Sequence, residues 1–304
     1  MKVTVAICTW NRSALLDKTL ENMLQLKLDK GFSWELIIVN NNCTDDTDQV
    51  IMIFSDRLPI KYVSEPTLGL SNARNAAVCN ATGDYIIWTD DDVLVDKNWL
   101  IAYVEAFIKY PDATVFGGPV EPWFEGEPPR WLIQGWEHVA NSYAVRDLGN
   151  SEIRFQPKGD IIPYGANFAV RLKEQAENLY DPHLGLVGDK RTMGEEVTVL
   201  RKILSVPRAV GWWLPKAKVR HWLPKERQSL QYIKKYYVGR GVTRKLQKTD
   251  ILNNRKTLFG RPIKMYKQLI IGHSKYVVQH IFYDSKVWLR TYVKNCTLWG
   301  EFKK

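Results

Sequence analysis

The stretch GDYIIWTDDD, residues 83–92, carries the most informative pattern for the architecture of the chain. A glycine precedes the apolar run Tyr85–Thr89, and three aspartates follow that run directly. Short apolar runs bounded by turn residues are typical of strands buried in a parallel sheet. Ligands of open α/β sheets bind beyond the carboxyl ends of the strands. The order of residues therefore predicts a buried strand that ends at a ligand site.

Asp90, Asp91 and Asp92 place three carboxylates side by side. Adjacent carboxylates repel one another, so solvent or a cation has to screen them. Their hard oxygen ligands suit Mg²⁺ or Mn²⁺, which commonly bridge protein carboxylates to substrate phosphates. A solvated acidic turn explains the same three residues without a ligand. The position after a buried strand favours the metal site.

The chain on either side alternates strand-like and helical patterns, which is typical of βα units. This alternation predicts an α/β fold with a mainly parallel sheet flanked by helices. Strands are predicted at Val3–Cys8, Leu36–Val39, Ile60–Val63, Ala113–Phe116, Ala209–Leu214 and Ala217–Trp222, and ordered structure is predicted to return at Ile161–Val170 after a long segment without a regular pattern. Helices are predicted to begin at Ser13, after Thr44 or Asp45, and at Ser71, and to cover Trp99–Lys109 and the region near Glu195–Leu204.

The composition is that of a globular protein. The 304 residues are 45% hydrophobic and 25% charged, which excludes a disordered or fibrous chain. Four widely spaced cysteines without a CxxC pair predict neither a disulfide framework nor a zinc cluster, and favour a reducing compartment. The N-terminal apolar run is too short for a signal peptide, and no uncharged stretch approaches the length of a spanning helix. We expect a cytoplasmic protein.

The net charge of +10 is unevenly distributed. Residues 223–304 contain 19 lysines and arginines against 4 acidic residues, whereas residues 1–222 contain 24 against 29. This asymmetry predicts a domain over residues 1–222 and a basic, aromatic, helical tail over residues 223–304. Such a tail suits an anionic membrane surface. Nucleic acid and a merely solvated helical face are the alternatives.

Small polar residues follow the first two strands. Thr9, Asn11 and Arg12 follow the first strand, and Asn40 follows the second. Asn and Thr side chains could hold a base and a ribose, and an arginine could reach a phosphate. Ordinary turn and capping chemistry explains these residues equally well.

Six segments in order carry a family resemblance: VAICTWNR, IIVNNNCTDDT, EPTLGLSNARNAA, GDYIIWTDDD, YGANFAVR and GEEVTVLRKI. Together they resemble glycosyltransferase family 2, with its Rossmann-like GT-A nucleotide-sugar-binding fold, over about residues 3–222. The resemblance implies a metal-dependent, inverting transfer of a sugar from a nucleoside-diphosphate sugar, a UDP-sugar being favoured. The implied acceptor is a hydroxyl of a glycan or polyprenyl-linked molecule, in surface polysaccharide or glycoconjugate synthesis at the inner face of the cell membrane.

The resemblance implies nucleotide contacts at the first two strand ends. The expected nucleoside-binding residues are Thr9, Asn11, Arg12 and Asn40. Arg74 is expected near the diphosphate. Many relatives have aspartate where this chain has Asn40, so the identity of the base is less defined.

The three aspartates match the DXD element of the family. By resemblance Asp92 is the direct ligand of Mn²⁺ or Mg²⁺, Asp90 faces the ribose or the metal, and Asp91 belongs to the donor site. His221 falls where some relatives have a further metal or diphosphate contact. A structural histidine is the alternative for His221.

Glu195 and Glu196 match the acidic pair of the family, in which the second member is the catalytic base. General base catalysis typically contributes about 10²–10⁴ in rate. An acid in the first turn of a helix explains Glu196 without catalysis, because acids are favoured there. Residues 165–167 match a strand edge that lines the donor sugar.

The segment Pro119–Glu137 contains Trp123, Trp131 and Trp136 among prolines and glycines. Aromatic faces can stack on sugar rings, which makes this segment a candidate acceptor loop. Packing explains the three tryptophans equally well, because large aromatic side chains dominate protein cores.

Two further functions compete with sugar transfer. A sugar nucleotidyltransferase has similar architecture, but it needs a glycine-rich loop after the first strand, where this chain has TWNR. A catalytically silent protein that binds membrane or nucleic acid through the basic tail is the non-enzymatic alternative.

Overall fold

The computed structural model describes residues 1–29, 31–155, 162–187, 190–192, 194–247, 257–258 and 261–303. The chain forms two compact units. The first comprises residues 1–121 and 145–221, and the second comprises residues 122–144 and 222–304.

An eight-stranded sheet forms the centre of the first unit. Its strands are β1 (Lys2–Thr9), β2 (Ser33–Asn40), β3 (Ile60–Ser64), β4 (Tyr85–Asp90), β6 (Val115–Gly117), β8 (Ile153–Phe155), β9 (Asn167–Arg171) and β12 (Gly211–Trp213). They lie in the order β3-β2-β1-β4-β9-β6-β12-β8. Only β9 and β8 run antiparallel to their neighbours. The predicted mainly parallel α/β sheet is therefore confirmed.

Helices cover the sheet and the remaining strands are short. The helices of the first unit are α1 (Ser13–Met23), α2 (Thr47–Phe54), α3 (Leu70–Asn80), α4 (Trp99–Lys109), α7 (Leu172–Ala176) and α8 (Glu195–Leu204). The other strands are β5 (Val93–Val95), β7 (Val120–Phe124), β10 (Gly185–Val187), β11 (Lys190–Thr192), β13 (Val219–Leu223), β14 (Thr257–Leu258) and β15 (Arg261–Pro262).

The sheet is buried on both faces, as its parallel strands require. Alternate residues of β1 point in opposite directions, so Val5 and Ile7 enter the core that includes α1, α2 and α4. Ala6 enters the other core, which includes α3 and α8. These two layers hold the strand ends at the edge that carries the candidate site.

Several predicted boundaries differ from the structure. The ordered stretch predicted at Ile161–Val170 begins outside the described residues, and its strand β9 starts only at Asn167. Its late start has a local cause, because the Asn167 N–H donates to the Tyr164 carbonyl at 3.0 Å and closes a turn there. Helix α2 begins at Thr47, and Asp45 accepts hydrogen bonds from both the Thr47 and the Ser13 N–H groups.

The second unit is helical. It contains α5 (Arg130–Gln134), α6 (Trp136–Val139), α9 (Leu230–Gln247), α10 (Ile263–Phe282) and α11 (Ser285–Phe302), with 3₁₀ turns at Ala140–Tyr143 and Lys225–Arg227. Helices α9 and α11 approach closely through glycines, since a Cβ on Gly241 would lie 2.0 Å from the Thr297 carbonyl oxygen. None of the helices in the described part of the chain combines the length and the apolar character needed to cross a membrane.

Candidate active site

The register of three neighbouring strands brings the predicted residues together. Thr9 of β1 pairs with Asn40 of β2, and Cys8 of β1 pairs with Asp90 of β4. Because these strands are parallel, their carboxyl ends meet at one edge of the sheet. The polar residues after β1, β2 and β4 therefore lie at a common edge, as the sequence predicts.

Asp91 is held by residues of β1, of α1 and of the turn between them. Its carboxylate accepts hydrogen bonds from the Thr9 hydroxyl at 2.8 Å and from Arg12 Nη1 at 3.0 Å. Its carbonyl oxygen accepts from the Thr19 hydroxyl at 2.9 Å. Burial raises the pKa of Asp91 to about 7, although Arg12 acts in the opposite direction. These contacts fix the turn that presents the two other aspartates.

Asp90, Asp92 and His221 form a cluster with the donor set of a metal site. One ligand atom of each lies within 4.8 Å of the others. His221 Nε2 lies 3.2 Å from Asp92 Oδ1. The pairing of His221 with Val93 carries the histidine to this position, since β13 runs antiparallel to β5 directly after the aspartates.

The chemistry of this donor set suits a divalent cation. Two carboxylates and an imidazole nitrogen are ligands that Mn²⁺ accepts, and Mg²⁺ accepts the carboxylates. Burial and the neighbouring Asp92 raise the pKa of Asp90, while Arg74, His221 and Arg12 lower it. A bound cation would lower the pKa of these carboxyl groups, as the cationic neighbours do, and so favour their ionised form. The residues therefore fit the ion.

Asn11 and Asn40 stabilise the turn after β2 through hydrogen bonds. The Asn40 amide donates to Asp48 Oδ1 at 2.6 Å, and its oxygen accepts from the Cys43 N–H at 2.7 Å. Asn11 has a positive φ of 52°, and its side-chain oxygen accepts from the Thr44 N–H at 2.7 Å. Both asparagines thus have a structural role at this edge. Their contact with a nucleoside stays a prediction.

Asn41 is a structural residue of the site that the sequence analysis missed. Its amide donates to the Glu65 and Thr67 carbonyls at 3.0 and 2.8 Å, and its oxygen accepts from the Gly69 N–H. These bonds fix the loop that leads into α3, the helix carrying Arg74. Asn40 and Asn41 are both buried and Asn42 is exposed, and three identical residues in a row carry no sequence signal that singles out Asn41.

Arg74 and the acidic pair Glu195 and Glu196 lie on the side of the sheet that α3 and α8 cover. Arg74 Nη1 lies 3.2 Å from Glu195 Oε1 in a buried ion pair. Its guanidinium also lies 5.7 Å from the ring centroid of Trp88 and 5.3 Å from that of Tyr180. Glu195, which the sequence analysis treated only as the neighbour of Glu196, is the ion-pair partner of Arg74.

Glu196 lies in the first turn of α8, beside this ion pair. Burial and the adjacent Glu195 raise the pKa of the Glu196 carboxyl, and Arg74 opposes this effect. Gly165 approaches both groups: a Cβ there would lie 3.2 Å from Arg74 Nη2 and 3.6 Å from Glu196 Oε1. The absence of a side chain at Gly165 thus keeps space open between the carboxylate and the guanidinium.

Asn167 has a structural role in the core of the first unit. Its side-chain oxygen accepts from Trp99 Nε1 and the Tyr103 hydroxyl, each at 2.9 Å. Its amide donates to the carbonyls of Pro119 and Ala217 at 2.9 and 2.7 Å. The side chain is completely buried, so it joins elements of the core, and the contact of residues 165–167 with a donor sugar stays a prediction.

The three loop tryptophans pack against aromatic residues of the second unit. Trp136 stacks on Tyr143 with 5.2 Å between ring centroids. Trp123 meets Trp222 edge-on at 4.5 Å, and Trp131 lies 6.2 Å from Trp288. Of the two interpretations of this segment, packing is therefore the one these contacts support.

Comparison with known proteins identifies the family. The model of "Glycosyl transferase family 2" matches residues 4–173, more than half of the chain. The chain therefore belongs to glycosyltransferase family 2, as its motifs predict.

Two relatives match part of the chain. It is 27% identical to the succinoglycan biosynthesis protein ExoM of Rhizobium meliloti over 140 residues, and this segment covers 45% of each protein. It is 31% identical over 151 residues to validoxylamine A glucosyltransferase of Streptomyces hygroscopicus subsp. limoneus, covering 49% of this chain and 33% of that enzyme. The matched segment spans less than half of either relative.

Solved structures show the same fold. Mannosyltransferase PcManGT from Pyrobaculum calidifontis, in complex with GDP-Man and Mn²⁺, superposes with a TM-score of 0.58 at 16% identity, over 99% of this chain and 87% of that one. Residues 1–349 of S. aureus TarS, in complex with UDP-GlcNAc, superpose with a TM-score of 0.52 at 16% identity, over 93% and 74% of the two chains. The expected GT-A fold is confirmed.

Proposed function

We propose that this chain transfers a sugar from a nucleoside-diphosphate sugar to a hydroxyl group, with inversion and with the aid of a divalent cation. The observation that carries the proposal is the cluster of Asp90, Asp92 and His221 at the ligand-binding edge of a family 2 sheet. A cluster of two carboxylates and an imidazole at this edge suits a cation that meets a diphosphate.

The donor is proposed to bind along the ends of β1 and β2. Thr9, Asn11, Arg12 and Asn40 would contact the nucleoside side of the donor, with Asp91 fixing the position of Arg12. Arg74 would lie towards the diphosphate. TarS and PcManGT have been solved with UDP-GlcNAc and GDP-Man respectively, which supports a nucleotide-sugar donor. We favour a UDP-sugar.

The cation is proposed to be Mn²⁺ or Mg²⁺. Asp92 would be its direct ligand, with Asp90 and His221 completing the protein donors. When bound, a divalent cation neutralises the charge that develops on a leaving diphosphate. The PcManGT structure contains Mn²⁺, which supports this assignment.

Glu196 is the proposed general base. A base has to be ionised near the working pH and still accept a proton from a hydroxyl group, so a raised carboxyl pKa suits the task. Burial and Glu195 raise the pKa of Glu196 in this way. A single displacement assisted by one base, with the leaving group on the opposite face of the sugar, inverts the anomeric centre.

We further propose that residues 1–222 catalyse the transfer and that residues 223–304 associate with a membrane surface. The tail contains 19 basic residues and only 4 acidic ones, which supports attraction to anionic lipid. Several relatives are named for polysaccharide synthesis, among them ExoM and poly-β-1,6-N-acetyl-D-glucosamine synthase of Staphylococcus aureus. The acceptor would then be a glycan or a polyprenyl-linked glycan at the inner face of the cell membrane.

Thermal unfolding with UDP, GDP, dTDP and CDP, each with and without Mn²⁺, tests the proposal. A ligand at 100 times its Kd stabilises the folded protein by about 2.7 kcal/mol, which is visible as a shift in Tm. We expect one nucleotide to raise the Tm only when Mn²⁺ is present.

The matched variants are Asp92→Ala and Asp17→Ala, the second of which removes an exposed carboxylate of α1. The metal-dependent shift should disappear in the first variant and persist in the second. A folded wild-type protein that shifts with none of the nucleotides would contradict the proposal and favour a silent fold with a binding tail.

A further inference from the structure

Helix α10 packs one of its faces against α11. The Gly272 carbonyl accepts a hydrogen bond from the Asn295 amide at 2.8 Å. On the same side, the ring of Tyr276 lies 5.2 Å from that of Tyr292 and 6.1 Å from that of Trp288. Residues four apart lie on one face of a helix, so Gly272 and Tyr276 define the side that faces the protein.

The opposite face of α10 carries large apolar side chains that are open to solvent. Ile270 and Ile271 are 68% and 65% exposed, and Ile281 and Phe282 are 66% and 75% exposed. None of the residues of α10, all of which lie in the described part of the chain, is buried. Water-exposed isoleucine and phenylalanine side chains on a contiguous surface mark an interaction site.

This surface continues beyond the helix. A shallow groove of about 640 Å³ runs from α10 to the start of α11. Ile270, Ile271, Val278, Tyr283 and Val287 line it together with Lys275. The exposed face of α10 and this groove form one apolar surface, which we call the α10 surface.

Charge identifies the kind of partner. Helix α10 contains Lys264, Lys267 and Lys275 and has no aspartate or glutamate in its sequence. Lys264 and Lys267 are exposed, as is Lys275 at the groove. Two copies of such a positive surface repel each other, whereas an anionic surface attracts it. A helix with exposed isoleucines flanked by lysines matches the interfacial helices that lie in the plane of a lipid headgroup layer.

We propose that α10 lies in the plane of an anionic membrane and inserts Ile270, Ile271, Ile281 and Phe282 between the lipids. Its lysines would meet the phosphate groups at the headgroup level, where long cationic side chains commonly lie. This inference deepens the proposed membrane association of the tail by assigning it to one helix face. It is independent of the sugar donor and the cation.

Vesicle flotation with the full chain tests the assignment. The vesicles are phosphatidylcholine alone or phosphatidylcholine mixed with phosphatidylglycerol. We expect the wild-type chain to float with the mixed vesicles and the double variant Ile270→Ser/Ile281→Ser to bind about tenfold less tightly or weaker, because each isoleucine loses its transfer from water. The control Met52→Ser/Ile108→Ser removes two comparably exposed apolar residues of the first unit, and its binding should equal that of the wild type.

A second variant separates the charge from the apolar contact. Lys264→Gln/Lys267→Gln/Lys275→Gln should weaken the preference for phosphatidylglycerol, and circular dichroism checks that the variant is folded. Equal flotation of the wild type and of the isoleucine variant would overturn the assignment. So would light scattering that shows a wild-type dimer and a monomeric isoleucine variant without lipid, because the occupant would then be a second copy.

The nucleotide-dependent Tm shift distinguishes the two proposals. It should be the same in the isoleucine variant and in the wild type, because α10 contributes no residue to the candidate active site. If the chain floats with the vesicles but no nucleotide shifts its Tm, the proposed sugar transfer is contradicted and the membrane role of α10 is still supported.

Discussion

Arg74 and Glu195 form an ion pair, with 3.2 Å between Nη1 and Oε1, whose two side chains are only 4% and 7% exposed. Arg74 lies on α3 and Glu195 begins α8, so the pair joins two helices on the same side of the sheet. It also fixes the first turn of α8, from which Glu196 extends. The proposed base is thus positioned by a charge pair that takes no part in proton transfer.

Loss of either partner should cost much of the stability of the protein. Glu195→Ala leaves the Arg74 guanidinium buried without its carboxylate, and such a change typically lowers the free energy of unfolding by about 3–5 kcal/mol. Urea-induced unfolding measures this loss. Glu21→Ala is the matched control, because it breaks an exposed pair with Arg57 at 3.5 Å and should cost less than about 1 kcal/mol. Equal losses in the two variants would contradict the prediction.

Glu196→Gln should retain nucleotide binding and lose turnover. The amide cannot accept the proton of the attacking hydroxyl, so kcat should fall by about 10²–10⁴. Burial and Glu195 raise the pKa of the Glu196 carboxyl above its ordinary value of 4.5. The acid limb of the wild-type profile of kcat against pH should therefore lie above pH 4.5. A variant with wild-type kcat, or a profile that stays flat down to pH 4.5, would remove the base assignment.

The same carboxyl makes a separate prediction about stability. A raised pKa means that the folded chain binds this proton more tightly than the unfolded chain does, so the ionised carboxylate disfavours folding. That cost is absent below pH 4.5 and is complete above the raised pKa. Glu196→Gln should therefore have a higher Tm than the wild type at neutral pH and an equal Tm at pH 4. Thermal unfolding across this range checks both statements, and a lower Tm of the variant at neutral pH would refute them.

The strand that ends at Asp90 could be predicted from sequence because hydrophobic pattern and turn residues are local signals. The family could be predicted because six short motifs occur in one order. The position of His221 beside Asp92 depends on the pairing of β13 with β5, which no local pattern encodes. The resemblance alone suggested it.

Side-chain partners were the least predictable part of the site. Asn40 bonds to Asp48 and Asn167 bonds to Trp99, but asparagines after or within a strand have many possible partners. The hydrogen-bond partner of such a side chain depends on how distant elements pack. Asn167 and Trp99, for example, are 68 positions apart in the sequence. Candidate residues can therefore be found from local sequence patterns, whereas tertiary packing determines which of them support the fold.

Asn40→Asp should destabilise the turn after β2. In the wild type the Asn40 amide donates to Asp48 at 2.6 Å. An aspartate at position 40 would place two carboxylates next to each other, and they would repel. We expect a loss of about 1–3 kcal/mol at neutral pH that diminishes as acid protonates the pair. Adding Asp48→Asn restores a donor and acceptor in reversed order, so the double variant should recover most of the loss. Equal stability of the single and double variants in urea-induced unfolding would contradict this account.

Asn167→Ala should be among the most damaging substitutions in the first unit. It removes four internal hydrogen bonds and leaves the Trp99 and Tyr103 donors and two carbonyls buried without this partner. Unsatisfied buried groups cost about 1–3 kcal/mol each, so we expect the free energy of unfolding to fall by at least about 3 kcal/mol. Asn98→Ala, at an exposed asparagine that bonds to Asp96, should cost less than about 1 kcal/mol in the same measurement. A stable Asn167→Ala protein with weakened donor binding would contradict this prediction. It would indicate that the Asn167 amide contacts the donor sugar.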